Sequence, residues 1–245
     1  MADPKRKTTN QALGRGKIHF KKLGDSGYRY LGNTPAFGLT VTSETLKHFG
    51  SDSGVKVQDK EIVVQTEYAG SLTTDNINHE NMAMMLLGTA STVAVGSGTG
   101  VSVTFNNVVL GNLFDLGKRN VSSVVITGKV LGTDYTVDAV NGLLTIPETS
   151  TIVAGSNVTV TFNNAAYSYD KTVSAGTAVE GALMFVSANP EGDDNVYLIP
   201  DCKLSPNGEF AIKAEEWQQL PFNLAISVPD NGDPAITING RPYTP

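Results

Sequence analysis

The stretch "RYLGNTPAFGLTVTSETLKHF", residues 29–49, decides the fold. It reads as a strand that meets a Gly-Asn-Thr-Pro break at 32–35 and resumes over "FGLTVTSE" (37–44), where Phe37, Leu39 and Val41 alternate with polar neighbours. It is then expected to close on a short helical phrase. None of these residues is catalytic equipment, so the stretch raises the question of what a chain with so few reactive groups is for.

Outward from it, the same period-two pattern recurs. "KIHFKKL" (17–23) alternates at Ile18 and Phe20, and "KEIVVQTEY" (60–68) is a β-branched run. Further strands are expected at "VSVTF" (101–105), "SSVVIT" (122–127), "TDYTVDA" (133–139), "LLTIP" (143–147), "VTVTF" (158–162), "ALMFVSA" (182–188), "NVYLIP" (195–200), "EFAIKA" (209–214), "LAISV" (224–228) and "AITI" (235–238). Asn-Gly pairs at 141–142, 207–208, 231–232 and 239–240 mark tight turns, and Asn141-Gly142 reads as a type I′ hairpin. Two helices interrupt the strands. One spans about 74–87, with Thr74 or Asp75 as N-cap and Ile77, Met84, Met85 and Leu86 on its packing face. The other is the short phrase "KAEEWQQL" (213–220), expected to insert Trp217 into an apolar site before Pro221. "VSVTFNN" (101–107) echoes "VTVTFNN" (158–164), which suggests a related pair of strands. The Thr- and Ser-rich block 89–170 is expected to be an inserted β subdomain. The fold class is therefore mainly β with one flanking helix.

Composition bounds the rest. A chain of 245 residues with 40% hydrophobic and 17% charged residues can bury a substantial core. A single cysteine, Cys202, allows neither an intrachain disulfide nor a thiolate metal cage. The opening "MADPKRKTTNQALGRGK" lacks the apolar core of a secretory signal, and "MAMMLL" (82–87) is far shorter than a membrane span. The expectation is a protein made in a cytoplasm, soluble and without a membrane partner. Charge is divided unevenly. Residues 1–22, with Lys5, Arg6, Lys7, Arg15, Lys17, Lys21 and Lys22 against Asp3, carry +6, which leaves −12 on residues 23–245 of a chain whose net is −6. Such an arm can bind nucleic acid, dock on an acidic neighbouring copy, or simply stay solvated. The acidic body would repel phosphate.

Reactive chemistry is sparse. His19, His48 and His79 lie far apart and form no ligand pair, and Cys202 has no base nearby in sequence. "GNLFDLGKR" (111–119) departs from a phosphate loop in its glycine gap and in having Arg119 where a hydroxyl would hold magnesium. "GSGTG" (96–100) lacks the strand-to-helix setting of a dinucleotide site, and "EGDDN" (191–195) reads as a solvated turn. No enzyme activity, cofactor or metal is expected.

"GYRYLGNTPAFGLTVTSETLKHFGSDSGVKVQDKEIV" (27–63) resembles the N-terminal part of a bacteriophage tail tube protein, the major tail protein of long-tailed phages. The shared order is strand, Gly32-Asn33-Thr34-Pro35 turn, strand, the Glu44, Leu46, His48 phrase, then the "GSDSG" loop of 50–54. "DNINHENMAMMLLG" (75–88) is similar to the family's helix, and 181–228 is similar to its closing strands. The resemblance covers roughly two thirds of the chain, and block 89–170 departs from the minimal pattern.

The resemblance implies a β-sandwich or half-barrel with an extended arm and loop. It implies homohexameric rings that stack into a hollow virion tail tube, capped by other tail proteins, through which DNA leaves without tight binding. A closing ring uses heterologous contacts, and stacking needs segments that reach beyond the body. The candidates are the arm 1–22, through Lys5, Arg6, Lys7 and Arg15, and the loop 50–61, through Val55, Val57, Asp59 and Glu61. Residues 23–245 would form the tail-tube β domain. The alternatives are an Ig-like or carbohydrate-binding β module on a surface, and another ring component of a tail or of a type VI secretion machine.

Overall fold

The computed structural model describes residues 13–50, 52, 54–190 and 194–239. The fold is mainly β, with one helix among the described residues. In chain order, β1 (Gly16–Lys22), β2 (Arg29–Tyr30), β3 (Ala36–Gly50) and β4 (Val57–Thr74) precede helix α1 (His79–Met85). Then come β5 (Gly88–Val95), β6 (Gly98–Phe105), β7 (Leu113–Asp115), β8 (Val121–Ile126), β9 (Thr136–Asp138), β10 (Leu143–Thr145), β11 (Val158–Asn164) and β12 (Tyr167–Ser174). Four strands close the chain: β13 (Val179–Ser187), β14 (Val196–Pro206), β15 (Leu220–Ile226) and β16 (Thr237–Ile238). The chain divides into two compact units, one of residues 1–90 and 172–245, the other of residues 91–171. β5 and β12, in which the chain leaves and re-enters the first unit, pair with each other.

The first unit is one open antiparallel sheet in the order β2-β1-β13-β14-β15-β4-β3, with β16 beside β14. β1 is the last third of the basic segment 1–22. It joins the sheet because Ile18 and Phe20 alternate inward, opposite Phe185 and Leu183. Leu72, Ile199, Leu204, Phe222 and Leu224 complete that face with Met84 and Met85 of α1. Burying each of these large side chains contributes about 1.5–3 kcal/mol.

α1 is shorter than the expected 74–87. Thr74 is the last residue of β4, and its single hydroxyl proton is shared between the carbonyls of Leu31 (3.1 Å) and Asn33 (3.0 Å). The cap is Asn78, whose side chain accepts from Asn81 N at 2.7 Å. The buried Asn81 amide donates to the carbonyls of Leu31 (2.9 Å) and Asn76 (2.8 Å). Thr74 and Asn81 thus clamp the Gly-Asn-Thr-Pro turn from one side. Gly32 is required there: its φ is +90°, and a Cβ would lie 2.3 Å from the Asn76 side chain.

Two further expectations are corrected. The phrase after Glu44 is strand, because β3 runs on to Gly50 in register with the β-branched Ile62 and Val63 of β4. Residues 213–219 form no helix, and 209–214 form no strand. Eight residues are too few to hold a helix without a packed face, and Pro221 biases Leu220 toward the extended backbone by which it enters β15.

The second unit packs two three-stranded sheets, β6-β11-β8 and β7-β10-β9, around one core of Val121, Ile126, Leu144, Ile146, Val160 and Phe162. The two echoed segments are neighbours: β6 and β11 pair antiparallel, Val103 opposite Val160. Asn141-Gly142 does not form the expected type I′ turn. Only Gly142 has positive φ (70°), while Asp138 caps the loop by accepting from Asn141 N at 3.1 Å. The buried Asp134 accepts from Val130 N (2.8 Å), Thr151 N (2.9 Å) and Thr151 Oγ1 (2.8 Å), and these bonds hold its carboxyl down to about 2.

Candidate assembly interface

β3 and β4 form a hairpin that outgrows the sheet. β15 pairs with β4 only over Tyr68–Thr74, so residues 57–67 of β4 have β3 on one side and no strand on the other among the described residues. β3 lies at the end of the sheet, with no strand on its outer edge among the described residues. The stretch 57–67 corresponds to about 35 Å of two-stranded ribbon at the usual strand rise.

Two register shifts shape the ribbon, one between Glu44 and Thr45 and one between His48 and Phe49. Each places an extra residue on β4, Val64 and then Asp59, and so switches which β4 residues share a face with β3. The result is that neither face is uniformly polar. Val41, Leu46 and Phe49 on β3 and Val57, Ile62, Val63 and Val64 on β4 are all exposed, and Val55 in the turn is 71% exposed. A two-stranded ribbon is marginal in water by itself, and long exposed edges of this kind pair with other chains.

Polar contacts brace the tip. His48 Nδ1 lies 2.6 Å from Asp59 Oδ1, and Gln58 Nε2 donates to Glu61 at 2.9 Å. The Glu61 carboxyl is held below its ordinary range by hydrogen bonds from Gln58 and Thr45, with Lys47 adding to them. All are solvent-accessible, so they set geometry more than stability.

The expected interface residues separate into three groups. Lys5, Arg6 and Lys7 lie outside the described residues. Arg15 is exposed just before β1, its backbone N donating to Asn189 Oδ1 at 3.0 Å. Val55, Val57, Asp59 and Glu61 are gathered at the hairpin tip, but the last three are strand and not loop. The β3 half of the ribbon (Val41, Leu46, Phe49) and the run 62–64 were missed. The signal was present, because no Gly, Pro or Asn interrupts 39–49 or 57–68.

Cys202 is buried and donates to Gly181 O at 3.3 Å. Burial, aided by the charge of Asp201, pushes its thiol up to about 12. No helix among the described residues is long and apolar enough to cross a membrane.

An open antiparallel sheet with a protruding, apolar-bearing hairpin defines the class: a mainly β protein with one short helix among the described residues. The chain belongs to the family described as "Protein of unknown function UCP028589", whose model matches residues 11–233. No curated protein matches it.

Proposed function

We propose that the chain is a structural virion protein, the subunit of a phage tail tube, in which copies complete each other's sheets around a channel. The observation that carries this reading is the β3–β4 ribbon: eight exposed apolar side chains, on and beside two edges that no other strand covers among the described residues. Such an edge is a hazard to a monomer and an asset to a part that meets identical neighbours. The −12 on residues 23–245 suits a wall that repels DNA phosphates. The reading requires the outward side of β1, with Lys17 and Lys21 over Tyr30 and Tyr28, to lie away from the channel.

The test is negative-stain microscopy of concentrated protein beside a variant in which an Asn-Gly turn joins Glu44 directly to Gln65. Wild type should form rings or tubes with a central hole, and the shortened variant should fold but stay monomeric. Tubes of unchanged length and yield from the variant would exclude the ribbon as the joining element.

A second reading, a surface-binding module in residues 91–171, has one observation in its favour. Tyr167 and Tyr169 stack 6.0 Å apart, with the Arg119 guanidinium 5.3 Å over the Tyr169 ring. Glycan-dependent retention of monomers on a polysaccharide column would favour it over the tube.

A further inference from the structure

Between β14 and β15 the chain passes through residues 207–219 as neither helix nor strand. Trp217, the only tryptophan, is 94% exposed there, and Ile212 is 82% exposed. The loop is nonetheless braced: Gln218 Nε2 donates to the carbonyls of Ala211 (3.2 Å) and Ile212 (3.0 Å). Glu209, Glu215 and Glu216 share this loop with Trp217, against one cation, Lys213. An indole presented on a braced acidic loop has the composition of an interface anchor.

The same unit carries a hollow of about 700 Å³, whose lining includes Pro35, Phe37, Phe185 and Tyr197. The Phe185 ring is 5.8 Å from Phe37 and 5.7 Å from Tyr197, so three rings form a connected part of the wall. Arg15 also lines it, one of the seven cations of residues 1–22. The acidic loop and Arg15 have opposite charge, and the volume is in the range that accepts a ligand-sized group.

We propose that the Trp217 loop of one copy seats in the Phe37–Phe185–Tyr197 hollow of a second copy, with Glu215 and Glu216 facing Arg15. Donor and acceptor are different surfaces of one chain, so the contact is heterologous and repeats from copy to copy. The inference rests on the self-assembly reading and adds to it a contact independent of the β3–β4 ribbon.

Trp217 reports on its own burial, because no other indole contributes to the emission. Emission and acrylamide quenching are followed beside light scattering as protein concentration rises. The expected result is a blue shift and loss of quenching in step with assembly. Trp217→Ala, which removes an exposed side chain and leaves the monomer folded, should weaken association about thirtyfold, as loss of a central anchor does. Arg15→Glu should weaken it roughly tenfold, and adding Glu215→Arg and Glu216→Arg to Arg15→Glu should recover most of that loss. A photo-crosslinker at 217 should join peptides containing 33–39 or 185–197 of another copy.

Assemblies in which Trp217 keeps its monomer emission would overturn this contact and leave the tube reading standing. Crosslinks to any other surface would overturn the assigned hollow. Absence of assembly at every concentration would overturn both readings.

Discussion

Val160 and Phe162 on β11 are fully buried, while Ile62, Val63 and Val64 on β4 are 48%, 62% and 56% exposed. Both segments are strands of antiparallel pairs, and both are rich in β-branched or aromatic residues. The difference lies in what surrounds them. β11 has β6 and β8 on its two edges, and a second three-stranded sheet closes over its inner face. The outer half of β4 has one neighbour, β3, and no opposing layer among the described residues. Local residue preference is enough to make a strand, but burial needs another surface.

The comparison can be broken at its buried end first. Phe162→Ala should cost about 3–5 kcal/mol, the usual range for emptying a packed aromatic site. Urea unfolding followed by tyrosine fluorescence and circular dichroism would register it as a lower midpoint for the unit of residues 91–171. A loss no larger than that of an exposed residue would mean that the two sheets of this unit do not close on one core.

A second test uses polar contacts. Asp134 is buried and held by three donors, whereas the hydrogen-bonded carboxylates at the hairpin tip face solvent. Its folded carboxyl sits at about 2, below the ~3.9 of an unfolded aspartate. The stabilisation is therefore complete above roughly pH 4 and disappears as pH falls through 4 toward 2. Scanning calorimetry across that window should show the wild-type midpoint falling more steeply than that of Asp134→Asn. Parallel curves would mean that the carboxylate contributes nothing in the folded state.

The smallest effect on the monomer is expected at the exposed end. Ile62→Ser with Val63→Ser should change unfolding free energy by no more than about 0.5 kcal/mol per site. The pair should nevertheless raise the protein concentration at which rings or tubes appear, read by light scattering. A large loss of monomer stability would show that the ribbon packs against its own chain after all.

Much of this was legible residue by residue. The alternation at Ile18 and Phe20 gave β1, the "FGLTVTSE" run gave the first half of β3, and the echo of 101–107 and 158–164 marked two strands that prove to be neighbours. The misreadings share a cause. "TLKHF" carries no turn residue but alternates weakly, and its pairing with β4 settles it as strand. Thr74 looks like a helix cap, but its hydroxyl is taken by the carbonyls of the Gly-Asn-Thr-Pro turn. "KAEEWQQL" has helical composition but no face to pack, so Trp217 stays in water.

Sequence alone thus determined the mainly β class, a helix near 80, the break at Gly-Asn-Thr-Pro and the acidic body behind a basic start. Those properties depend on backbone preference and on composition, which act within a few residues. Only tertiary structure decided which strand stands at the sheet edge, how far β3 and β4 run beyond β15, and which of two equally apolar segments is buried. Those depend on long-range pairing, where the partner may be a hundred residues away.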